Sequence, residues 1–395
     1  MSQQRINKLR KILEEKSLDA FLVSNFYNIL YLSGFKTLTE NEREGWVLVT
    51  TKNTYLFSDN RYIGSLSSRG VKRRSDLNKE EIASLPSVAR NDIITKLITP
   101  EKGLIKHLQE IVFEEKISRL GIEGDDLKIS EFNRLKQKLV NVESIPTEKL
   151  IIKQREIKDE EEISSIRTAC QITDKCLEDI VKTIKIGTSE KEIAFKIEFW
   201  LKEKNYDLAF YPIVAVDKNS SLPHYDTRSG DNKKIKKGSI ILIDFGAKYQ
   251  DYLSDITRMI FIGNPPQEMI NIYNHLLNAQ QKTINYLVIM RSHDNYCGKE
   301  IDQYCRKQLT TSHQPLIADI YPHSTGHGVG LEIHEYPKIS PVSTDEIKAG
   351  QVFTIEPGAY MTGKWGMRIE DTVLIKENGV EVLINFKKQL LTLDF

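Results

Sequence analysis

Apolar residues return at helical spacing at Ile6, Leu9 and Leu13, which predicts a first helix over residues 6–15. Asp19-AFLVS follows as a short buried strand, and Trp46-VLVTT and Thr54-YLFSD predict two more, joined by a turn at Lys52-Asn53. Leu120-GIEG has the pattern of a strand leaving a helix. Between Ser65 and Lys106 the chain turns polar and carries Lys72-Arg73-Arg74, which reads as a solvated loop because no aromatic residues interleave the charges. Pro146, in a polar stretch before Ile151-IKQREIKD, marks a boundary. Residues 1–150 therefore read as a small α/β domain.

The texture changes in residues 151–395. Asp159 with Glu162 three residues on forms a capping box. Ile163, Ile166, Cys170, Leu177, Ile180 and Ile184 then share one helical face, and Gly187 is expected to end that helix. Ser189 and Glu192 repeat the capping pattern for a second helix through Trp200 and Leu201. After residue 210 strands dominate: Ser239-IILIDFG, Tyr252-LSDITRMIFIG, Val352-FTIEPG, Met367-RIEDTVLI and Glu381-VLI. This predicts a second, α+β domain.

Composition narrows the function. Among 395 residues, 56 Lys+Arg stand against 55 Asp+Glu, a net charge of +1 that excludes a dedicated nucleic-acid binder. No apolar run approaches the roughly 18 residues of a membrane span. The start, Met1-SQQRINKLRKILEEK, carries charge where a signal peptide needs an apolar stretch, so a cytoplasmic protein is expected. Four cysteines without CxxC spacing fit a reducing compartment and a packing role.

Carboxylates fall where strands should exclude them. Asp244 closes Ile240-ILID, Asp255 interrupts Leu253-SDITRMIFI, Glu356 ends Val352-FTIE and Glu370 sits in Met367-RIEDTVLI. A buried carboxylate is costly without a compensating charge. A hairpin turning around Tyr249-Gln250 would set Asp244 opposite Asp255 on one face. Period two puts Arg368, Glu370 and Thr372 on one side of the last strand and Asp371 on the other. Three histidines cluster at His323, His327 and His334, with His327 between Gly326 and Gly328. Taken singly, Asp244 or Glu356 is an ordinary turn residue, Asp255 or Glu370 an internal polar contact, and His323 or His334 a structural histidine. Together, four carboxylates and an imidazole form a ligand set for Mn²⁺, Co²⁺ or Zn²⁺, with enough negative charge for two ions about 3.5–4 Å apart.

The ordered set Asp244-FG, Ser254-DITR, His323-STGHGVGLEIHEYP, Ile355-EPG and Arg368-IED resembles the pita-bread metallopeptidases, within them the Xaa-Pro aminopeptidase and Xaa-Pro dipeptidase (prolidase) branch. Before residue 151, Asn28-ILYLSGF and Ser58-DNRY are similar to that family's amino-terminal domain. The resemblance implies an α/β creatinase-type amino-terminal domain, used for dimerisation and the pocket rim, and a catalytic pita-bread domain over 151–395. It implies two divalent ions per chain, Mn²⁺ first and Co²⁺ or Zn²⁺ as alternatives. Asp244 would bind one, Asp255 and Glu370 would bridge, and His327 and Glu356 would complete the second site. A hydroxide between the ions would attack, with Glu356 passing its proton. His224 and His334 would contact the scissile region, His323 would orient the residue after the cut, and Arg368 would hold the carboxylates and border the substrate. The implied substrates are small peptides with proline second, and the implied assembly is a homodimer. Lys338 stands where prolidases often have arginine, which leaves dipeptidase and aminopeptidase open. Other readings of the same fold are an inactive protein-interaction module, a metal-independent creatinase-type hydrolase and a methionine aminopeptidase.

Overall fold

The computed structural model describes residues 2–62, 93–290, 296–310 and 321–395. Most of the predicted polar loop, with Lys72-Arg73-Arg74, lies outside the described residues. The chain divides into two compact units, Met1–Arg155 and Glu156–Phe395.

In the first unit the elements run α1 (Ser2–Glu15), β1 (Ala20–Val23), α2 (Phe26–Ser33), β2 (Gly45–Thr50), β3 (Thr54–Ser58), β4 (Ile94–Leu97), α3 (Leu104–Glu115), β5 (Arg119–Glu123), α4 (Ile129–Lys138), β6 (Glu143–Thr147) and α5 (Leu150–Glu156). They build one six-stranded sheet in the order β4-β3-β2-β1-β5-β6. β1 and β2 pair antiparallel while β1 and β5 pair parallel, so the sheet is mixed. Every residue of β1 is buried, as an all-apolar AFLV segment requires. Asn25 caps α2 through its side chain, and Gly34 ends that helix in the left-handed region.

The second unit opens with α6 (Glu160–Val181) and α7 (Glu190–Glu203), both started by the predicted capping boxes. Helix α6 stops at Val181 rather than at Gly187. Thr183 Oγ1 donates to the Ile180 carbonyl at 2.8 Å and closes the last turn, so Ile184 is buried from a turn instead of a helix. Strands follow: β7 (Asp207–Leu208), β8 (Ile213–Val216), β9 (Ile240–Phe245), β10 (Ala247–Tyr249), β11 (Tyr252–Leu253) and β12 (Ile256–Ile262). Helices α8 (Gln267–Met290) and α9 (Gly298–Thr310) lead to β13 (Gly326–Gly328), β14 (Glu335–Ile339), β15 (Val352–Ile355), β16 (Gly358–Met361), β17 (Trp365–Arg368), β18 (Glu370–Lys376), β19 (Gly379–Val382) and β20 (Leu391–Leu393). The main sheet runs β14-β13-β15-β18-β12-β9-β8, with β19 on β18 and β20 on β12. Tyr273 and Leu276 of α8 share a core with Leu242, Met259 and Phe261, while Ile284 and Leu287 pack with Phe353, Ile355, Val373 and Ile375.

One hairpin sets the register that matters. Its turn is Gln250-Asp251, with φ of 48° and 68°. Two consecutive left-handed residues suit a two-residue hairpin loop, because that backbone twist matches the twist of the strands. The turn lies one residue later than expected, so Asp244 faces Thr257 rather than Asp255. A two-residue change of pairing keeps every side chain on its face. The ladder then breaks between β11 and β12, at Ser254-Asp255. A Cβ at Gly246 would sit 1.8 Å from the Ser254 carbonyl oxygen, so only glycine allows this close crossing.

Candidate metal centre

Residues in or beside five strands bring the acidic residues and the imidazole to one cavity of about 620 Å³ in the second unit. Asp244 comes from the end of β9, Asp255 from the break before β12, and Glu370 is the first residue of β18. Glu356 follows β15, and His327 is the middle residue of β13. The glycines around His327 are steric requirements. A Cβ on Gly326 would lie 1.9 Å from the Thr354 carbonyl, and one on Gly328 would lie 2.3 Å from that of Tyr336. One donor atom each from Asp255, His327 and Glu370 lie within 4.8 Å of one another. His327 Nε2 is 3.6 Å from Asp255 Oδ2 and 3.4 Å from Glu356 Oε1. Asp244 joins them through Arg368, which pairs with its Oδ2. All five sequence-predicted ligands line the same cavity.

The imidazole is set up to ligate. His327 Nδ1 lies 3.2 Å from the Gly328 carbonyl, which can only accept, so the proton sits on Nδ1 and the Nε2 lone pair faces the carboxylates. Threonines orient the acids: Thr257 Oγ1 donates to Glu370 Oε2 at 2.6 Å, and Thr354 Oγ1 donates to Glu356 Oε1 at 3.1 Å. Thr372 Oγ1 donates to the Asp255 carbonyl at 2.9 Å. The expected single strand is split at Ile369, so Arg368 ends β17 in a separate sheet while Glu370 and Thr372 share one side of β18 as period two predicts. Asp371 points away, to Arg258 at 2.7 Å.

Charge is out of balance here. Burial raises the carboxyl of Asp255 far above the usual carboxylate range, and Glu370, Asp244 and Glu356 around it push the same way. Glu370 is raised well above that range by burial and by Glu356 and Asp244. Asp244 is raised by burial, with Arg368 opposing the shift. Burial also lowers His327 to about 4, which keeps it neutral. Asp244 Oδ1 and Asp255 Oδ1 are buried with no hydrogen-bond partner among the described residues. Unpaired buried carboxylate oxygens that converge with an available imidazole nitrogen fit hard-to-borderline divalent ions.

The other predicted residues surround this cluster. His224 and His334 are exposed to the cavity, and His334 meets His327 edge to face with ring centroids 4.3 Å apart. His323 is buried more deeply, and both its nitrogens are taken: Nδ1 is 2.8 Å from the Ser324 carbonyl and Nε2 is 2.9 Å from the Tyr360 hydroxyl. The Arg368 guanidinium lines the cavity and is hydrogen-bonded to Thr257, the Pro223 carbonyl, Tyr360 and Asp244, so it braces the carboxylates. Two participants escaped the sequence reading. Thr257 has the right parity in its strand and was discoverable, whereas Tyr360 lies on the separate β16–β17 hairpin and carries no periodic signal.

Residues 164–377 match metallopeptidase family M24, and residues 5–157 match the creatinase/prolidase N-terminal domain. The chain belongs to metallopeptidase family M24. An Xaa-Pro dipeptidase of Pyrococcus furiosus is 33% identical over 98% of this chain and 100% of its own length. A solved Xaa-Pro dipeptidase from Bacillus anthracis superposes with a TM-score of 0.83 at 31% identity, covering 100% of both chains. An X-Pro aminopeptidase structure from Thermotoga maritima gives 0.80 at 28% identity, over 95% of this chain and 98% of that one. The two-domain fold expected from the resemblance, a creatinase-type α/β unit followed by a pita-bread M24 unit, is thereby present. As an M24 member the protein is a metal-dependent peptidase.

Proposed function

We propose that this M24 peptidase is a dinuclear exopeptidase that hydrolyses the bond between an amino-terminal residue and a following proline. The observation that carries the reading is the convergence of Asp244, Asp255, His327, Glu356 and Glu370, with two buried carboxylate oxygens left unpaired. Asp244 would hold one ion and His327 with Glu356 the other, with Asp255 and Glu370 shared between them; Mn²⁺ suits this oxygen-rich set. When bound, the ions supply Lewis acidity that polarises a carbonyl and acidifies a water.

The chain's own groups supply the remainder. Glu356, held by Thr354, is placed to take a proton from water and return it to the leaving nitrogen. His334 is lowered to about 4, chiefly by burial, and so presents a neutral N–H to the substrate carbonyl at neutral pH. His224 faces the same space from the loop after β8. Phe210, Ile213, Pro223, Ile333 and Val342 give the cavity apolar walls suited to a proline ring. Proline after the cut removes an amide N–H and restricts φ, so a closed pocket replaces strand-like docking. Lys338 lines the cavity and could meet the carboxylate of a dipeptide, as a point charge without the bidentate geometry of arginine. The resemblance further implies a cytoplasmic homodimer, which light scattering would test.

The deciding experiment loads purified protein with Mn²⁺ and compares Ala-Pro, Ala-Pro-Ala and Met-Ala-Ser. We expect hydrolysis of the proline peptides, with their ratio separating dipeptidase from aminopeptidase. Preference for Met-Ala-Ser would overturn the proline reading. Hydrolysis that survives exhaustive chelation would overturn the metal mechanism.

A further inference from the structure

We propose that Lys158 is a positioning residue that fastens the 329–335 loop and thereby aims His334 into the cavity, an inference that rests on the peptidase reading for the chemical role of His334. Lys158 lies just ahead of α6 and far in sequence from the strand ends that build the centre. Its side chain is 0% exposed, and Nζ donates to Glu335 Oε1 at 2.7 Å across a sequence separation of 177 residues. Glu335 is only 6% exposed and also accepts from the Glu332 amide at 3.4 Å. A buried lysine and a buried glutamate each lose hydration, and neither is stable in such a place without the other.

The consequence falls on the neighbouring residue. His334 makes no hydrogen bond of its own among the described residues; its ring contact is the edge-to-face packing on His327. The loop that carries it has little regular structure, since residues 330–334 form only bends between β13 and β14. Its backbone is tied at Val329 to Val352, and Gly330 accepts from the Leu253 amide. Beyond Gly330 the segment is held by the pairing of Glu335 with Gly328, by the Ile333 backbone bond to the His327 ring and by the Glu335 carboxylate, which accepts from the Glu332 amide. That carboxylate folds back over Gly330, where a Cβ would come within 2.3 Å of Glu335 Oε1. The Glu335 side chain therefore fixes the loop directly beside His334, whose ring it helps to hold against His327.

Lys158 is itself held by the sheet. Its amide donates to the Gly350 carbonyl at 2.9 Å, and Gln351 Nε2 donates to Glu156 Oε1 at 2.8 Å. Gly350 and Gln351 lead directly into β15, the strand that Glu356 follows. The ion pair thus ties the segment bearing His334 to the strand that leads to Glu356. A hydrogen-bond donor aimed at a developing oxyanion must be held in advance, and a displacement of about 1 Å can cost 10²-fold in rate.

The test is K158M, which keeps the stem and removes the ammonium, alongside K158M/E335Q, which leaves no unpaired buried charge if the single variant folds poorly. We expect kcat on the best-cleaved peptide to fall about 10- to 100-fold with KM within about twofold and bound metal unchanged. In an H334A background the same change should cost almost nothing more, because both substitutions disable one group. Amide hydrogen exchange over residues 330–335 should accelerate in the metal-free protein. Unchanged kcat in either folded variant, costs that add fully to those of H334A, or unchanged exchange would each overturn the proposal. A wild type that ignores proline peptides would defeat the peptidase specificity instead. The exchange measurement stands apart from activity and still decides whether Lys158 fastens the loop.

Discussion

Glu370 and Asp371 are consecutive, both buried, and opposite in electrostatic situation. Asp371 is met by Arg258 at 2.7 Å and by Lys388 at 2.6 Å, so its charge is answered within the chain. On the other side of the strand Glu370 joins Asp244, Asp255 and Glu356, and the guanidinium among these four acids is that of Arg368. Burial alone does not separate a structural acid from a functional one. The sum of charge within reach does: a balanced cluster holds the fold, and an unbalanced one waits for cations.

Substituting one acid on each side gives the largest expected effects, with opposite signs. Asp255→Asn should lower activity by about 10⁴-fold or more, equivalent to about 5.5 kcal/mol at 1.36 kcal/mol per decade, and should reduce bound metal per chain. The same change should raise the stability of the metal-free protein by about 1 kcal/mol, since it removes one of several repelling acids. Asp371→Asn should instead destabilise by about 3–5 kcal/mol through stranded cations, while folded molecules still bind metal. Metal analysis and denaturant unfolding of the two apoproteins check both. Matching signs would erase the contrast.

Arg368→Lys comes next. The guanidinium braces Asp244, Thr257, Tyr360 and the Pro223 carbonyl together, and an ammonium cannot span four directions. We expect metal affinity or activity to fall about 10- to 100-fold, the usual cost of disturbing groups that orient ligands, as read by metal titration. A wild-type result would mean that only the positive charge matters there.

The imbalance also has a pH signature. Asp244, Asp255 and Glu370 are all raised in the folded chain, so the metal-free protein holds protons that the unfolded chain releases near the ordinary carboxylate range of about 4. Their stabilising effect is full below that range and is lost as pH climbs through the raised values. Metal must displace these protons, so binding should release protons and tighten with rising pH. Calorimetry in buffers of different ionisation enthalpy measures the release. Zero release in weakly acidic buffer would show that the site is already ionised.

Much of this was legible in the chain, for identifiable reasons. Carboxylates inside apolar runs betray themselves because burial is costly, and period two alone separates Glu370 from Asp371. The common face of Asp244 and Asp255 survived a misplaced turn because parity, not exact pairing, decides the face. The register itself was hidden: it depended on Gln250-Asp251 taking left-handed conformations, which neither residue type demands. The end of α6 was misjudged because Ile184 is buried without being helical. Contacts made across long separations leave no local trace. Lys158 meets Glu335 177 residues away, and Tyr360 meets His323 37 residues away.

Tyr360 offers the finest adjustment of the contrast. Its hydroxyl accepts from Arg368 Nη1 at 2.8 Å and stands 2.9 Å from His323 Nε2. Because His323 Nδ1 faces the Ser324 carbonyl, its proton belongs there, and Nε2 must accept from the hydroxyl. Burial pushes the phenol up to about 12, so it stays protonated and can donate throughout the working range of pH. Tyr360→Phe removes both bonds while preserving the ring that packs on His323 at 5.3 Å. The neutral bond to His323 contributes about 0.5–1.5 kcal/mol, and Arg368 keeps its three other partners, so the loss that reaches the cavity through His323 should lower kcat/KM about 2- to 12-fold with metal content intact. Loss of metal from this variant would extend the boundary of the cation-dependent cluster to Tyr360 on β16. Retained metal with the small kinetic loss would place that boundary at Arg368, at the end of β17.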